Sequence, residues 1–372
     1  MKLILKLMTA ILNLIFACFK LLPVRNKITF ISRQSDSKSE DMIMLQDALR
    51  ENLPEMQLIF LCRKLDGGII RKLAYCFHML KQMYHIATSQ AVILDSYCVA
   101  VSVLKQRKSL VVIQMWHALG ALKKFGLSIV GSGEGRDSRV ADALSMHRNY
   151  TWVFTSGDAC VPFFAEAFGY DESRVKVMPL PRVDKLTDEH LKEYTLKRIY
   201  DRYPEFKEKK LVVYAPTFRM NRDISAETDE LSSKFDPTEY AFVLKKHPLM
   251  ETECRVAQVD EEFTTIEMLY AADYVVCDYS AVVFEAAVLK KPLFFYAFDY
   301  DEYGAARDFY IDYMAEMPGV ISADADQLAK AIINEQFDME NIAKFAGKYV
   351  SYQEGCSRRI AEFVAETVGH MC

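Results

Sequence analysis

Five short stretches end apolar runs with groups that could meet a charged ligand. They are His117 with Lys123 and Lys124 in QMWHALGALKKFG, and Arg182 closing VKVMPLPR. The others are Thr217-Phe218-Arg219 after LVVYAP, Lys245-Lys246-His247-Pro248 after YAFVL, and Asp278-Tyr279-Ser280 after YVVC. Each has a plain structural reading when taken alone. A lone histidine can pack in a core, an arginine can sit in a surface ion pair worth at most about 1 kcal/mol, and two lysines can line a solvated helix face. Their shared position is what points to chemistry. In an open parallel sheet, ligands bind beyond the carboxyl ends of the strands, and a ligand met there by cations and hydroxyls is an anion. Ser280 adds a second reason. It precedes AVVFEAAVLKK, a good helix former, so it falls at or near the N-cap, where free backbone N–H groups and the helix dipole favour a phosphate. Glu285, about one and a half turns further on, is placed to reach a ligand hydroxyl such as that of a ribose or polyol.

Other signals are weaker. Asp299-Tyr300-Asp301 resembles the D-x-D pair that holds a metal in some sugar transferases. The aromatic stretch around it, KPLFFYAFDYDEYGAARDFYIDY, reads as a lid or acceptor contact to which Arg307 adds positive charge. GSGEGRDSR (131–139) reads as a mobile loop. Neither a Walker lysine loop nor G-x-G-x-x-G occurs, so an ATPase or a dehydrogenase lacks its signature. The seven histidines show no zinc-type grouping; no cofactor is expected, and a need for a divalent ion is left open. A formal net charge of −5 argues against a nucleic-acid partner. Nine cysteines, scattered singly and often inside apolar runs, fit reduced thiols of a cytosolic compartment.

The elements that must position these groups alternate in type. KITFIS (27–32), QLIFLC (57–62), AVILDS (91–96), SLVVIQMW (109–116), YTWVFTS (150–156) and VKVMPLP (175–181) read as strands separated by helical stretches. A second set follows: LVVYAPT (211–217), YAFVLKKH (240–247), YVVCDYS (274–280), KPLFFYAF (291–298) and GVIS (319–322). Near-continuous apolar runs of this length suit parallel strands covered on both faces. Two such blocks predict an α/β fold of two doubly wound domains facing each other. The boundaries expected are 25–185 for the first domain, 186–209 for a charged helical connector, 210–350 for the second, and 351–372 for a C-terminal helix. Residues 1–24 stand apart. Their longest uncharged run, Leu7 to Phe19, is short of the roughly 20 residues a spanning helix needs, and no small-residue cleavage site follows it. Lys2, Lys6 and Lys20 among Leu, Ile and Phe predict an amphipathic helix lying on an anionic bilayer.

In order along the chain, WHALGALKKFG, PLPRVD, APTFR, KKHP and ADYVVCDYSAVVFE…KKPLFFYAFDYDEYGAARDFY resemble the CDP-glycerol glycerophosphotransferases, the teichoic-acid primases and polymerases that include CDP-ribitol enzymes. The resemblance covers roughly residues 105 to 313. It implies a GT-B architecture with the nucleotide held mainly by the second domain, and a peripheral enzyme on the cytoplasmic face of the cell membrane. By position, His117 matches the family's general-base histidine, and Arg182 the arginine of its G-x-P-R motif. Pro216, Thr217 and Arg219 match P-T-x-R, while Lys245, Lys246 and His247 lie in the stretch before the family's proline. Ser280, Ala281 and Glu285 match D-Y-S-S…F-D along the donor phosphates and alditol. Ala118, Leu119, Gly120 and Ala121 form the expected substrate-binding segment after the first histidine. Departures occur: Ala118-Leu119-Gly120 replaces Gly-Thr-Pro, Pro179 replaces the glycine of G-x-P-R, Ala281 the second serine, and Glu285 the aspartate.

The resemblance implies transfer of glycerol phosphate or ribitol phosphate from a CDP-alditol to a hydroxyl of a polyprenyl-diphosphate-linked glycan, with release of CMP. His117 and His247 are the expected catalytic residues: His117 would take the acceptor proton, and His247 from the other half of the molecule would converge with it on one diphosphate. Two alternatives use the same strand ends: a GT-B glycosyltransferase or epimerase with a nucleotide sugar, and a membrane-associated scaffold without turnover.

Overall fold

The computed structural model describes residues 2–64, 69–132, 135–219, 222–247, 250, 253–306 and 308–369. Pro248, Arg307 and part of the 131–139 loop lie outside them. The chain divides into two compact units: Met1–Ala118, Lys124–Arg182 and Gly355–Cys372 make the first, and Leu119–Lys123 and Val183–Glu354 the second.

The first unit is built on six parallel strands, β1 (Lys27–Ser32), β2 (Gln57–Cys62), β3 (Ala91–Leu94), β4 (Val111–Gln114), β5 (Trp152–Thr155) and β6 (Val175–Val177), in the order β2-β1-β3-β4-β5-β6. Its central strands are apolar throughout because helices cover both faces: Phe30, Ile93, Val112, Ile113 and Val153 are fully buried. Each such side chain contributes about 1.5–3 kcal/mol relative to exposure. Registers Ile31↔Leu94 and Leu94↔Gln114 bring the carboxyl ends of β1, β3 and β4 level. Strand order reverses between β1 and β3, so the crevice for a ligand opens there.

The N-terminal segment is a helix, Lys2–Phe19, held to the first unit by Asn13 as well as by Phe16 and Phe19. Asn13 donates to the Val103 carbonyl (3.1 Å) and accepts from the Lys105 amide (2.7 Å). Phe16 is buried, whereas Leu7, Met8, Ile11 and Leu14 are exposed. Spacings of four and three put Leu7, Ile11 and Leu14 on one stripe. Among the described residues no helix is long and apolar enough to cross a membrane. The C-terminal helix, Cys356–Gly369, returns to the first unit, with Phe363 packed edge-on against Trp152 and Phe154.

The second unit carries β7 (Lys210–Tyr214), β8 (Tyr240–Leu244), β9 (Gln258–Val259), β10 (Tyr274–Cys277), β11 (Leu293–Tyr296) and β12 (Val320–Ser322), all parallel, ordered β12-β11-β10-β7-β8-β9. Here order reverses between β7 and β10, the arrangement of a dinucleotide-binding sheet. Residues 186–209 contribute the helix Glu189–Arg202, capped by Asp188, and a short 3-10 turn, Pro204–Lys207. Eleven strands lie where the apolar runs predict; β9, two residues long, is too short to show a pattern. Eight of these eleven observed strands stop earlier than the runs do. β7 ends at Tyr214 because Pro216 has no N–H for a ladder, and β6 ends at Val177 before Pro179 and Pro181. The residues trimmed off carry the polar groups, so the candidate chemistry sits on loops anchored by strands.

Candidate functional site

At the edge of the first sheet, β4 gives out at Gln114, and Trp116 takes a left-handed backbone (φ 62°) that turns the chain. An aromatic cluster holds this unusual conformation: the Trp116 ring packs on Phe125 at 5.1 Å and Phe168 at 5.3 Å. The buried Gln114 amide reinforces it, accepting from the Trp116 N–H (3.1 Å) and donating to the Ser96 carbonyl. His117 follows, half-buried. Its Nδ1 lies 2.8 Å from the main-chain oxygen of Asp95 at the end of β3. A carbonyl only accepts, so Nδ1 carries the proton and Nε2 is the free base. The Gln34 amide nitrogen, 3.1 Å from Nδ1 and 3.5 Å from Nε2, can then donate only to Nε2. Burial pushes the imidazole below its ordinary pKa and Arg182 adds to this, while the Asp95 carbonyl bond and Asp41 oppose it. The ring is therefore neutral near pH 7.

Arg182 starts a short helix beyond β6. Asp41, fully buried on the helix Glu40–Asn52, takes its backbone N–H (2.9 Å) and its Nε (3.0 Å) and pairs with Nη2. The Asp95 side chain is also buried at this edge. Burial raises its carboxyl pKa to about 6, against the hydroxyls of Ser32 and Ser96. The exits of β1, β3, β4 and β6 thus bring Gln34, Asp95, His117 and Arg182 to one edge.

In the second unit the equivalent edge is dominated by an ion-pair knot. Arg219, buried, donates from Nε and Nη2 to the two oxygens of Asp299 (2.6 and 2.8 Å). Its Nη1 donates to Asp278 (2.8 Å) and to the Thr217 carbonyl (2.9 Å). Four of the five N–H donors of a guanidinium are thereby used. Asp278, fully buried, also accepts the Thr217 N–H with both oxygens, at 2.8 and 3.0 Å. Burial opposes ionisation of Asp299, but Arg219 holds its carboxyl below the usual range. The knot ties the exits of β7, β10 and β11 together across the reversal of strand order. It also bears on two residues that the sequence singled out. Arg219 is placed as an internal brace, and both oxygens of Asp299 are committed to it. Among the described residues no cluster of three His, Cys, Asp or Glu is arranged to hold a metal.

The remaining predicted residues divide. Thr217, buried, has its N–H on Asp278 and a hydroxyl with no partner among the described residues. Pro216 is buried beside it. Ser280 is half-buried, 3.5 Å through its hydroxyl from the Val282 amide, one residue before the N-cap Ala281 of the helix Val282–Val288. Glu285 is buried on that helix, on its inner side. His247 is exposed beyond β8, its ring 5.4 Å from that of Phe218. Lys245 does not face a ligand: all three of its donors are taken by Asp260 (side chain and carbonyl) and the Phe263 carbonyl. Lys246 pairs with Glu261. Of the segment after His117, Ala118 is half-buried, whereas Leu119 and Ala121 are buried. Gly120 lies under Phe284, where a Cβ would stand 2.6 Å from the ring. Leu119–Lys123 therefore packs within the second unit.

Sequence reasoning did not single out Gln34, Asp41 or Asp95. Gln34 and Asp95 end strands on either side of the first reversal point, so a strand order would have found them; Asp41 lies on a helix and has no such signal.

The family model for CDP-glycerol:poly(glycerophosphate) glycerophosphotransferase matches residues 14–366. A teichoic acid ribitol-phosphate primase of Bacillus spizizenii is 33% identical over 361 residues, covering 93% of this chain and 92% of the relative. A teichoic acid poly(ribitol-phosphate) polymerase of the same organism is 31% identical over 96% of this chain, which spans only 59% of that longer protein. Among solved structures, the wall teichoic acid polymerase TagF (H548A) superposes with a TM-score of 0.74 at 18% identity, covering 99% of this chain and 97% of that one, and so shares the two-domain α/β fold. The chain belongs to the CDP-glycerol:poly(glycerophosphate) glycerophosphotransferase family.

Proposed function

We propose that the protein transfers ribitol phosphate, or glycerol phosphate, from its CDP carrier to a hydroxyl of a polyprenyl-diphosphate-linked glycan in teichoic-acid-type polymer synthesis. Family membership supports the reaction class, and the near full-length match to a ribitol-phosphate primase supports ribitol and a primase-like role. The observation that carries the mechanism is the His117 tautomer. With Nδ1–H spent on the Asp95 carbonyl, Nε2 is available to take a proton.

In this reading the acceptor oxygen attacks the phosphorus that bears the alditol. A new P–O bond forms, the P–O bond to CMP breaks, and the acceptor proton passes to His117 Nε2. Thr217, Ser280 and His247 bind the donor from the second unit, Thr217 offering its hydroxyl from a backbone fixed by Asp278. Arg182, oriented by Asp41, offsets charge on the His117 side. Such a transfer rests on positioning and charge stabilisation and needs no protein nucleophile. The exposed stripe Leu7, Ile11 and Leu14, with Lys6 also exposed, supports attachment to the cytoplasmic face of the cell membrane, where a lipid-linked acceptor would lie.

The test is a donor panel with a synthetic lipid-linked acceptor. CMP release from CDP-ribitol or CDP-glycerol, with gain of one alditol phosphate on the acceptor, is expected. Release of UDP from a UDP-sugar, or formation of a 2-epimer, with neither CDP-alditol used, would replace this reading by the nucleotide-sugar one.

A further inference from the structure

Two strand exits meet the imidazole of His117. From β3 comes the Asp95 carbonyl, on Nδ1 at 2.8 Å. From β1 comes the Gln34 side-chain amide, whose nitrogen stands 3.1 Å from Nδ1 and 3.5 Å from Nε2. Nδ1 carries a proton and accepts nothing, so the amide hydrogens are accepted on the Nε2 side. Among the described residues Nε2 has no other hydrogen-bond partner.

The residues around Gln34 fix that approach. The Gln34 N–H donates to the buried Ser32 hydroxyl and the Arg33 N–H to the buried Ser96 hydroxyl, each at 3.1 Å. Arg33 Nη1 donates to the Tyr97 carbonyl (3.1 Å), and the Asp36 carboxylate accepts the Lys64 N–H (3.0 Å). The loop that carries Gln34 is thus tied to residues 96 and 97, next in the chain to the Asp95 carbonyl that holds Nδ1. The Trp116 ring covers the imidazole, with centroids 4.2 Å apart. One edge of the first unit therefore supplies a carbonyl to one ring nitrogen and an amide hydrogen to the other.

An N–H that donates to Nε2 stabilises the neutral ring and opposes a second proton. The charged groups about the ring pull both ways: Arg182, on the helix Arg182–Leu186, opposes protonation, and Asp41, on the helix Glu40–Asn52, favours it. Asp95 and Arg33, at the exits of β3 and β1, are the other ionisable groups at this edge. Gln34 acts without charge, and its N–H stands where an acceptor O–H would donate to the base.

We propose that Gln34 is a positioning residue for the transfer, its amide keeping Nε2 of His117 unprotonated in the acceptor-free protein. The inference rests on the reading of His117 as general base and deepens it by naming a residue that acts through it.

The experiment is an NMR pH titration of isotope-labelled histidine in the full chain, with His117→Ala identifying the signal and the pH–rate profile of CMP release measured alongside. Gln34→Leu removes the N–H, and the ring is expected to hold its proton about threefold to tenfold more tightly, the worth of one hydrogen bond. Gln34→Glu, of the same shape, sets a carboxylate against the ring and is expected to tighten the proton about tenfold or more. The acid limb of kcat/KM moves upward in pH by the same factors, and the other histidines serve as internal controls. Thermal melts check that both variants are folded. A folded Gln34→Leu protein whose His117 titrates as in wild type overturns the proposal, as does a Gln34→Glu protein in which His117 does not move. Both shifts in a protein that transfers no alditol phosphate would refute the reaction proposed above and leave the hold of Gln34 on His117 standing.

Discussion

Replacing Arg219 by Met separates two roles that the sequence cannot distinguish, a donor-binding cation and an internal brace. In the structure its guanidinium makes hydrogen bonds to Asp299, Asp278 and the Thr217 carbonyl, with the side chain almost wholly buried. Met matches much of its length but leaves two buried carboxylates without their common counter-charge. Removing one member of a buried ionic group costs about 3–5 kcal/mol. For a unit of this size each kcal/mol lowers Tm by about 2–4 °C, so a drop of roughly 6–20 °C is expected. Pairing Arg219→Met with Asp299→Asn removes one of the stranded charges and is expected to recover part of that loss, which a double-mutant cycle measures directly. The assay is calorimetric melting alongside CDP titration. A variant that melts within about 2 °C of wild type yet no longer binds CDP would refute the brace and return Arg219 to the role of ligand.

Three further outcomes follow from the same geometry. His117→Ala is expected to cut CMP release by about 10²–10⁴, the usual worth of a general base, with donor affinity within a few fold. In the wild-type protein, kcat/KM falls only as pH drops through a value below 6.5, since the depressed pKa keeps the base neutral above it; near-wild-type turnover in the alanine variant would remove His117 from the role. Gly120→Ala sets a methyl against Phe284, itself packed between Phe345 and Tyr349, and is expected to lower stability by about 1–3 kcal/mol, and an unchanged melting curve would contradict the packing. His147 is buried with its pKa pushed down to about 3, chiefly by burial. The unfolded chain, with a histidine pKa near 6.5, binds that proton first, so stability present above pH 6.5 is lost as pH falls towards 3. At pH 5 the loss is about 2 kcal/mol, and His147→Phe should show an acid slope shallower by that amount in denaturant titrations; an identical slope would disprove it.

What the sequence by itself determined is the set of strands and the residues at their ends. Runs such as SLVVIQMW and YVVCDYS are apolar because both faces of a parallel sheet are covered, and a run of that kind identifies a strand without any partner being known. Even there the ends were overextended, because a proline such as Pro216, or a left-handed residue such as Trp116, stops a ladder before hydrophobicity fades. The order of the strands was not legible, since it depends on which neighbours pair, and with it went Gln34 and Asp95 beside the reversal point. Side-chain roles were decided by the tertiary structure alone. Arg219 and Lys245 are both basic residues near strand ends, yet both are bound to buried carboxylates, Asp278 and Asp299 for the first and Asp260 for the second. A cation's chemistry depends on the counter-charge brought within about 4 Å, and only the folded chain says which carboxylate that is.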